Sequence, residues 1–156
     1  MPANRRQNGL DATNCRLLEE LQADARLSLA ELGRRVGLSS PAVAERLQRL
    51  EADGVIAGYT ARVNPRAVGY SLSVLIRVRP APRQLAKVAE EARATPEVVE
   101  CHRVTGEDCF FMIAHVRDVE HLEEVIDRFV VFGQTMSSIM QSSPVPLRGL
   151  PLSAGG

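Results

Sequence analysis

The stretch from Ser28 to Gly54 restricts the fold more than any other part of this chain. Ser28-Leu29-Ala30-Glu31 has the pattern of a capping box, in which a serine and a glutamate three residues on satisfy each other's orphan amides at a helix start. Leu29, Leu32 and Val36 then share one helical face, and Gly37 stands where a helix ends in the left-handed conformation. Leu38 follows, Ser39 is a second N-cap, and Val43, Leu47 and Leu50 make a further apolar stripe from Ser40 to about Asp53, where Gly54 stops it. A short helix, a glycine-containing turn and a longer helix in immediate succession form a helix-turn-helix, whose second helix is shaped to enter the major groove of DNA.

The flanking sequence completes a domain around this pair. Upstream, Asp11 is an N-cap, Leu10 and Cys15 occupy the two ends of a hydrophobic staple, and Leu17, Leu18 and Leu21 carry an apolar stripe to about Ala25. Met1 to Gly9 is polar, contains Arg5 and Arg6 and has no apolar period, so residues 1–9 are expected as a flexible arm. Downstream, Val55-Ile56 and Tyr59 to Val63 flank Ala57-Gly58 as two brief strands, a small wing. Residues 10–63 therefore read as a winged helix-turn-helix domain, and 64–69, from Asn64-Pro65 to Gly69, as a connector.

From Ser71 the period changes. Leu72, Val74, Ile76 and Val78 alternate on one face of a strand that Pro80 and Pro82 close. Leu85, Val88, Ala89 and Ala92 then take helical spacing between Pro82 and Ala94. Val98 to Thr105 and Cys109 to Val116 are strands joined by the turn Gly106-Glu107-Asp108. Asp118 caps a helix with Leu122, Val125, Ile126 and Phe129 inward, Gly133 ends it, and Thr135 to Ser142 is the last strand. The order β-α-β-β-α-β is the ferredoxin-like arrangement, so the fold class is α+β, with this second domain at 70–145 and a flexible, proline-marked tail at 146–156. Two helices cover one face of such a sheet and leave the other bare. Apolar residues stand on both sides of these strands (Leu75 beside Val74, Phe111 beside Phe110), and a bare apolar face implies a partner, most simply a second copy.

Charge limits the DNA reading. The chain carries 19 basic and 19 acidic residues, and residues 1–63 hold nine arginines against eight acids. A phosphate-binding surface must come from where the arginines stand, not from their excess. On the third helix Pro41, Ala42, Glu45, Gln48 and Arg49 lie away from the apolar stripe, with Arg46 at its flank. Ser40 and Ala42 are small enough for the helix start to approach a phosphate, Arg46 and Arg49 suit phosphates or guanine edges, and Glu45 can accept from cytosine N4. The candidate DNA contacts are Ser39, Ser40, Pro41, Ala42, Glu45, Arg46, Arg49 and, in the wing, Arg62. A generic helical hairpin with a solvated face shares the glycine turn; two capped helices, the tight spacing and a following wing favour the DNA-reading form.

Several of these segments resemble the Lrp/AsnC family, the leucine-responsive or feast/famine regulators. They are Leu10-Asp11, Arg26-Leu27-Ser28-Leu29-Ala30-Glu31-Leu32, Gly37-Leu38-Ser39, Val43 with Arg46-Leu47 and Arg49-Leu50-Glu51, and Gly54-Val55-Ile56-Ala57-Gly58-Tyr59. Asn64-Pro65 and Gly69 fit the family's connector, and Gly106-Glu107 the start of its sensing turn. The resemblance implies a winged helix-turn-helix joined to a ligand-binding ferredoxin-like domain. It also implies homodimers that assemble to octamers, double-stranded DNA as partner, and a small-molecule effector of the amino-acid class. Glu45 stands where the family often has a basic residue, and Cys109 where the sensing turn usually has a second acid.

A ligand site in such a domain lies where turns and strand ends of two copies meet, so the effector candidates are Gly106, Glu107 and Asp108 with Thr135, Ser137 and Ser138. The same residues also suit a solvated hairpin. Cys15, Cys101 and Cys109 are an odd set with no paired spacing, read as free buried thiols. Cys101, His102, Cys109, His115 and His121 match no common zinc pattern, so no metal and no cofactor are expected and the histidines are placed at the surface. No phosphate loop, Ser-His-Asp set or paired carboxylates mark an enzyme. The absence of a long apolar run or a signal-peptide core points to a cytoplasmic protein with no membrane partner. Glu45 and the neutral charge keep one alternative open, a helix-turn-helix protein-interaction module or regulatory subunit without DNA binding, which salt dependence separates from the first reading.

Overall fold

The computed structural model describes residues 10–153; the arm expected at 1–9 and the end of the tail, 154–156, lie outside them. The described chain divides into two units, one formed by residues 10–61 together with 145–153, the other by residues 62–144.

The first unit holds helices α1 (Ala12–Ala23), α2 (Leu29–Val36) and α3 (Ser40–Ala52). Each starts where a short polar side chain can accept from the first turn: Asp11 from the Asn14 amide, Ser28 from Glu31, Ser39 from Ala42. Only half of the expected capping box forms, because the Glu31 carboxylate goes to Arg34 and Arg35 at 2.6 and 2.7 Å instead of back to the helix start. Gly37 ends α2 with φ of 74°, a conformation most side chains avoid. Leu17, Leu18, Leu32, Val36, Val43, Leu47 and Leu50 form the core, with Leu10, Leu21, Leu27, Leu38, Ile56 and Leu152 packed against it.

Two expectations for this unit fail. The wing strands at 55–56 and 59–63 do not form. The amides of Val55 and Ile56 both bond to the Leu50 carbonyl, at 2.8 and 3.0 Å, so they finish α3 and are not free to pair with a neighbouring strand. Nor do the described residues of the tail run loose: Leu152 packs against the core, and Leu150 is hydrogen-bonded on both its amide and its carbonyl to the Gln22 side chain. Its leucines and prolines lack a helical or strand period, yet they still supply apolar surface to bury.

The second unit opens with a 3-10 turn over Pro65–Val68 and continues as β1 (Leu72–Pro80), α4 (Leu85–Ala94), β2 (Val98–Arg103), β3 (Phe110–Val116), α5 (Val119–Val130) and β4 (Gly133–Ile139). The strands lie in the order β2-β3-β1-β4, every neighbour antiparallel. Val74, Ile76 and Val78 of β1 and Phe110, Met112, Ala114 and Val116 of β3 bury one face against Val88, Ala92, Leu122, Val125 and Phe129 of the two helices. Burying a side chain of this size fully is worth roughly 1.5–3 kcal/mol, so this single face carries most of the domain's stability. β4 begins two residues earlier than its spacing implies, because Gly133 lies so close to β1 that a Cβ would stand 2.1 Å from the Arg79 carbonyl oxygen.

Burial of the thiols and histidines also departs from expectation. Cys15 is buried, but Cys101 is exposed on β2, an edge strand, and Cys109 is half-buried. His121, placed at the surface by the sequence reading, is buried in the first turn of α5. Its Nδ1 accepts from the Arg117 amide at 3.2 Å, and its Nε2 lies 2.9 Å from Glu97, just before β2. Burial alone would raise the Glu97 carboxyl. Hydrogen bonds from its own backbone amide and from His121, with the charge of Arg128, outweigh that and hold it below its ordinary value.

Two outcomes follow from these contacts. Alanine normally gains about 1 kcal/mol over glycine inside a helix, but at Gly33 a Cβ would meet the Leu38 carbonyl oxygen at 2.3 Å. Gly33→Ala is therefore expected to lose about 1–3 kcal/mol and to lower the calorimetric melting temperature; a higher one would show that the turn relaxes freely. The folded chain binds the Glu97 proton more weakly than the unfolded chain does. The stability this gives is fully present above the unfolded carboxyl value, about 4.3, and is lost as pH falls through the folded one. In urea unfolding, Glu97→Gln should be less stable at pH 7 and approach the native chain in acid; a gap that does not close would assign the loss to packing.

Candidate nucleic-acid interface and sensing turn

On α3 the buried set Val43, Leu47 and Leu50 leaves Ser39, Pro41, Glu45, Gln48 and Arg49 exposed and Ser40, Ala42 and Arg46 half-buried. Ser39 spends its hydroxyl on the Ala42 amide, so it acts in the free chain as a cap. Pro41 lies in the first turn, where its missing N–H costs nothing. Glu45 and Arg49, one turn apart, are joined in an exposed ion pair. The outward face therefore presents a donor and an acceptor already matched to each other.

Arg46 is placed differently. Its guanidinium bonds to Asp11 at 2.6 Å and to Asn14 at 2.9 Å, tying the middle of α3 to the start of α1. That hydrogen bond, with the Asn14 amide, holds the Asp11 carboxyl below its ordinary value. Arg34 and Arg35 converge on Glu31 and lower its carboxyl to about 2, while Arg35 also reaches Glu20 at 2.6 Å. Residues 10–61 hold six arginines against eight acids, and Arg34, Arg35, Arg46 and Arg49 are all tied to carboxylates. Arg62 belongs to the second unit.

In the sensing domain, Gly106 turns with φ of 111° and Glu107 and Asp108 follow it. Both acids are paired from β1: Arg77 lies 3.3 Å from Asp108, and Arg79 contacts Glu107 and lies 4.0 Å from Asp108. The second Arg77 nitrogen meets the sulfur of Met136 on β4. Sequence reasoning passed over these two arginines, although charged residues at alternate positions of an otherwise apolar strand mark the face away from the helices. Cys109 points its thiol at the Glu107 carbonyl.

The register of β4 divides the remaining candidates. Thr135 and Ser137 stand opposite Val78 and Ile76, on the face the helices cover, and the Thr135 hydroxyl is buried with no partner among the described residues. Ser138 stands opposite Leu75, on the bare face. That face also carries Phe111, Ile113 and Met136, an apolar patch bordered by Arg77 and His115.

Comparison with known proteins follows the same division. Residues 10–51 match the model of the AsnC-type helix-turn-helix domain, and residues 73–150 that of the Lrp/AsnC ligand binding domain. The transcriptional regulator LrpA of Mycobacterium tuberculosis is 39% identical over 120 residues, 76% of this chain and 80% of that protein. The leucine-responsive regulatory protein of Escherichia coli is 36% identical over 120 residues, 75% of this chain and 73% of its own. Among solved structures, a feast or famine regulatory protein from M. tuberculosis complexed with L-methionine superimposes with a TM-score of 0.84 at 35% identity, covering 90% of this chain and 98% of that one. No helix among the described residues is long and apolar enough to cross a membrane. Matched in both units and over most of its length, the chain belongs to the Lrp/AsnC family of transcription regulators.

Proposed function

We propose that this chain is a sequence-specific DNA-binding transcription regulator that acts as a homodimer and whose DNA affinity responds to an amino acid. The observation that carries the DNA part is the closed turn between α2 and α3, which buries one side of α3 and leaves Ser39–Ala42, Glu45 and Arg49 outward. The small residues at the start of α3 let its amides approach a phosphate. Arg49 and Glu45 offer base-edge contacts to guanine and cytosine. Arg46 serves mainly to hold α3 on α1.

Self-association is supported by the bare patch of Leu75, Phe111, Ile113 and Met136, too apolar to be an ordinary solvated surface. The effector reading is supported by the ion pairs of the sensing turn. An amino acid carries both a carboxylate and an ammonium, so it can address Arg77 or Arg79 and Asp108 or Glu107 together. A relative bound to L-methionine is consistent with that chemistry.

The DNA reading is tested by gel shift on the sequence upstream of the chain's own gene, across a salt series. Arg49→Ala is expected to weaken binding by about 1–3 kcal/mol if the guanidinium reads a base. Glu45→Gln releases Arg49 and should strengthen binding to unrelated DNA, with a log–log salt slope steeper by about one contact. Unaltered binding in both variants would remove this pair from the interface, and a native chain that ignores DNA in dilute buffer would favour a protein-interaction role. Phe111→Asp should shift the chain toward monomer in sedimentation velocity; an unchanged profile would place the dimer contact elsewhere.

A further inference from the structure

We propose that the segment after β4 is a second tether between the two units, clamped to α1 by Gln22, and that Gln22 is a positioning residue for the DNA-binding unit. The Gln22 amide makes both bonds to one residue: its Oε1 accepts from the Leu150 N–H at 2.6 Å, and its Nε2 donates to the Leu150 carbonyl at 3.1 Å. A side-chain amide that satisfies both backbone groups of one residue fixes the register of the segment as well as its presence. Gly149 lets the two close, since a Cβ there would stand 2.8 Å from the Gln22 Oε1. Two residues past the clamp, Leu152 packs against the core of the three helices. An apolar anchor and a polar clamp together define a seat.

Connectivity gives the seat its consequence. The chain passes between the units at 61–62 and again at 144–145. The second passage leaves β4, the strand of Thr135, Ser137 and Ser138, with only residues 140–144 between strand and segment. Between β4 and the clamp, Pro144 and Pro146 stiffen the chain by fixing their own φ. A body held by one connector turns about it; a body held by two has fewer orientations open. For a dimer that reads paired half-sites, as proposed above, restricted orientation means low tolerance for a change in half-site spacing.

Hydrogen exchange on the full-length chain tests the clamp without reference to DNA. The Leu150 amide should be protected, and Gln22→Ala should speed its exchange roughly tenfold while the amides of β1–β4 stay as they were. Exchange of Leu150 at the rate of a free peptide in the native chain would overturn the proposal. The tether is tested with the upstream fragment carrying an insertion of about 5 bp, half a helical turn, between its half-sites. The native chain should lose about tenfold or more in affinity, whereas Gln22→Ala and Gly149→Val should lose about threefold or less and keep their affinity for the unaltered fragment. Equal losses in native and variant chains would sink the tether. A native chain that binds neither fragment would count against the functional reading, and the exchange result would still decide the clamp.

Discussion

The DNA-binding unit depends on how closely two backbone segments meet at the end of α2. The Leu38 amide donates to the Gly33 carbonyl at 2.9 Å, and the Leu38 carbonyl sits where a Cβ of residue 33 would be. That close approach accompanies the packing of Leu32 and Val36 of one helix with Val43 and Leu47 of the next in one core. Once that contact is made, the inner face of α3 is determined by burial, and its outer face follows because side chains a turn apart share a side. The exposed position of Glu45 and Arg49 is thus a consequence of a glycine twelve residues before Glu45.

Charge in this unit is arranged as pairs, and that shapes how it can bind an anion. Over residues 10–61 acids outnumber arginines, so positive charge in that stretch is local and does not form a broad field. Exposed pairs such as Glu45–Arg49 are worth only about 0–1 kcal/mol, so exchanging the carboxylate for a phosphate or a base edge costs little. A surface built this way gains affinity only where its partner offers the right acceptor at the right place, and binds indiscriminately charged polymers poorly. Arg46 is the exception. Held between Asp11 and Asn14, it is the arginine whose loss would disturb the fold before it disturbed recognition.

Much of this was legible in the sequence because it is governed by local chemistry. Asp11, Ser28, Ser39 and Asp118 each cap the helix they were read to cap, and the alternation from Leu72 to Val78 marks the buried face of β1. What escaped was set by particular contacts that no local pattern announces. Val55 and Ile56 look like a strand, but whether they pair depends on a mate, and their amides turn back to Leu50. The tail has no period at all, and over its described residues the contacts come from far away in sequence, Gln22 for Leu150 and the helical core for Leu152. Gly33 reads as a blemish inside a helix until the Leu38 carbonyl is seen beside it. Arg77 and Arg79 gain meaning only when the β1–β3 register brings the Glu107–Asp108 turn alongside them.

The central strand β1 ties these sites together through its two faces. One face is core and cannot move without disturbing Val74, Ile76 and Val78, all fully buried. The other carries Leu75 in the apolar patch and Arg77, which touches Asp108 on one side and Met136 on the other. In the proposed reading, a ligand that competed for Asp108 would release a guanidinium onto the face assigned to self-association, beside a methionine soft enough to repack. Two equilibria that shared one side chain would be linked, and the linkage reciprocal: the factor by which ligand changed dimer affinity would equal the factor by which dimerisation changed ligand affinity. Because the opposite face of β1 is buried in the core, such a coupling would have to be carried by side chains of the bare face, with the strand itself as the fixed reference.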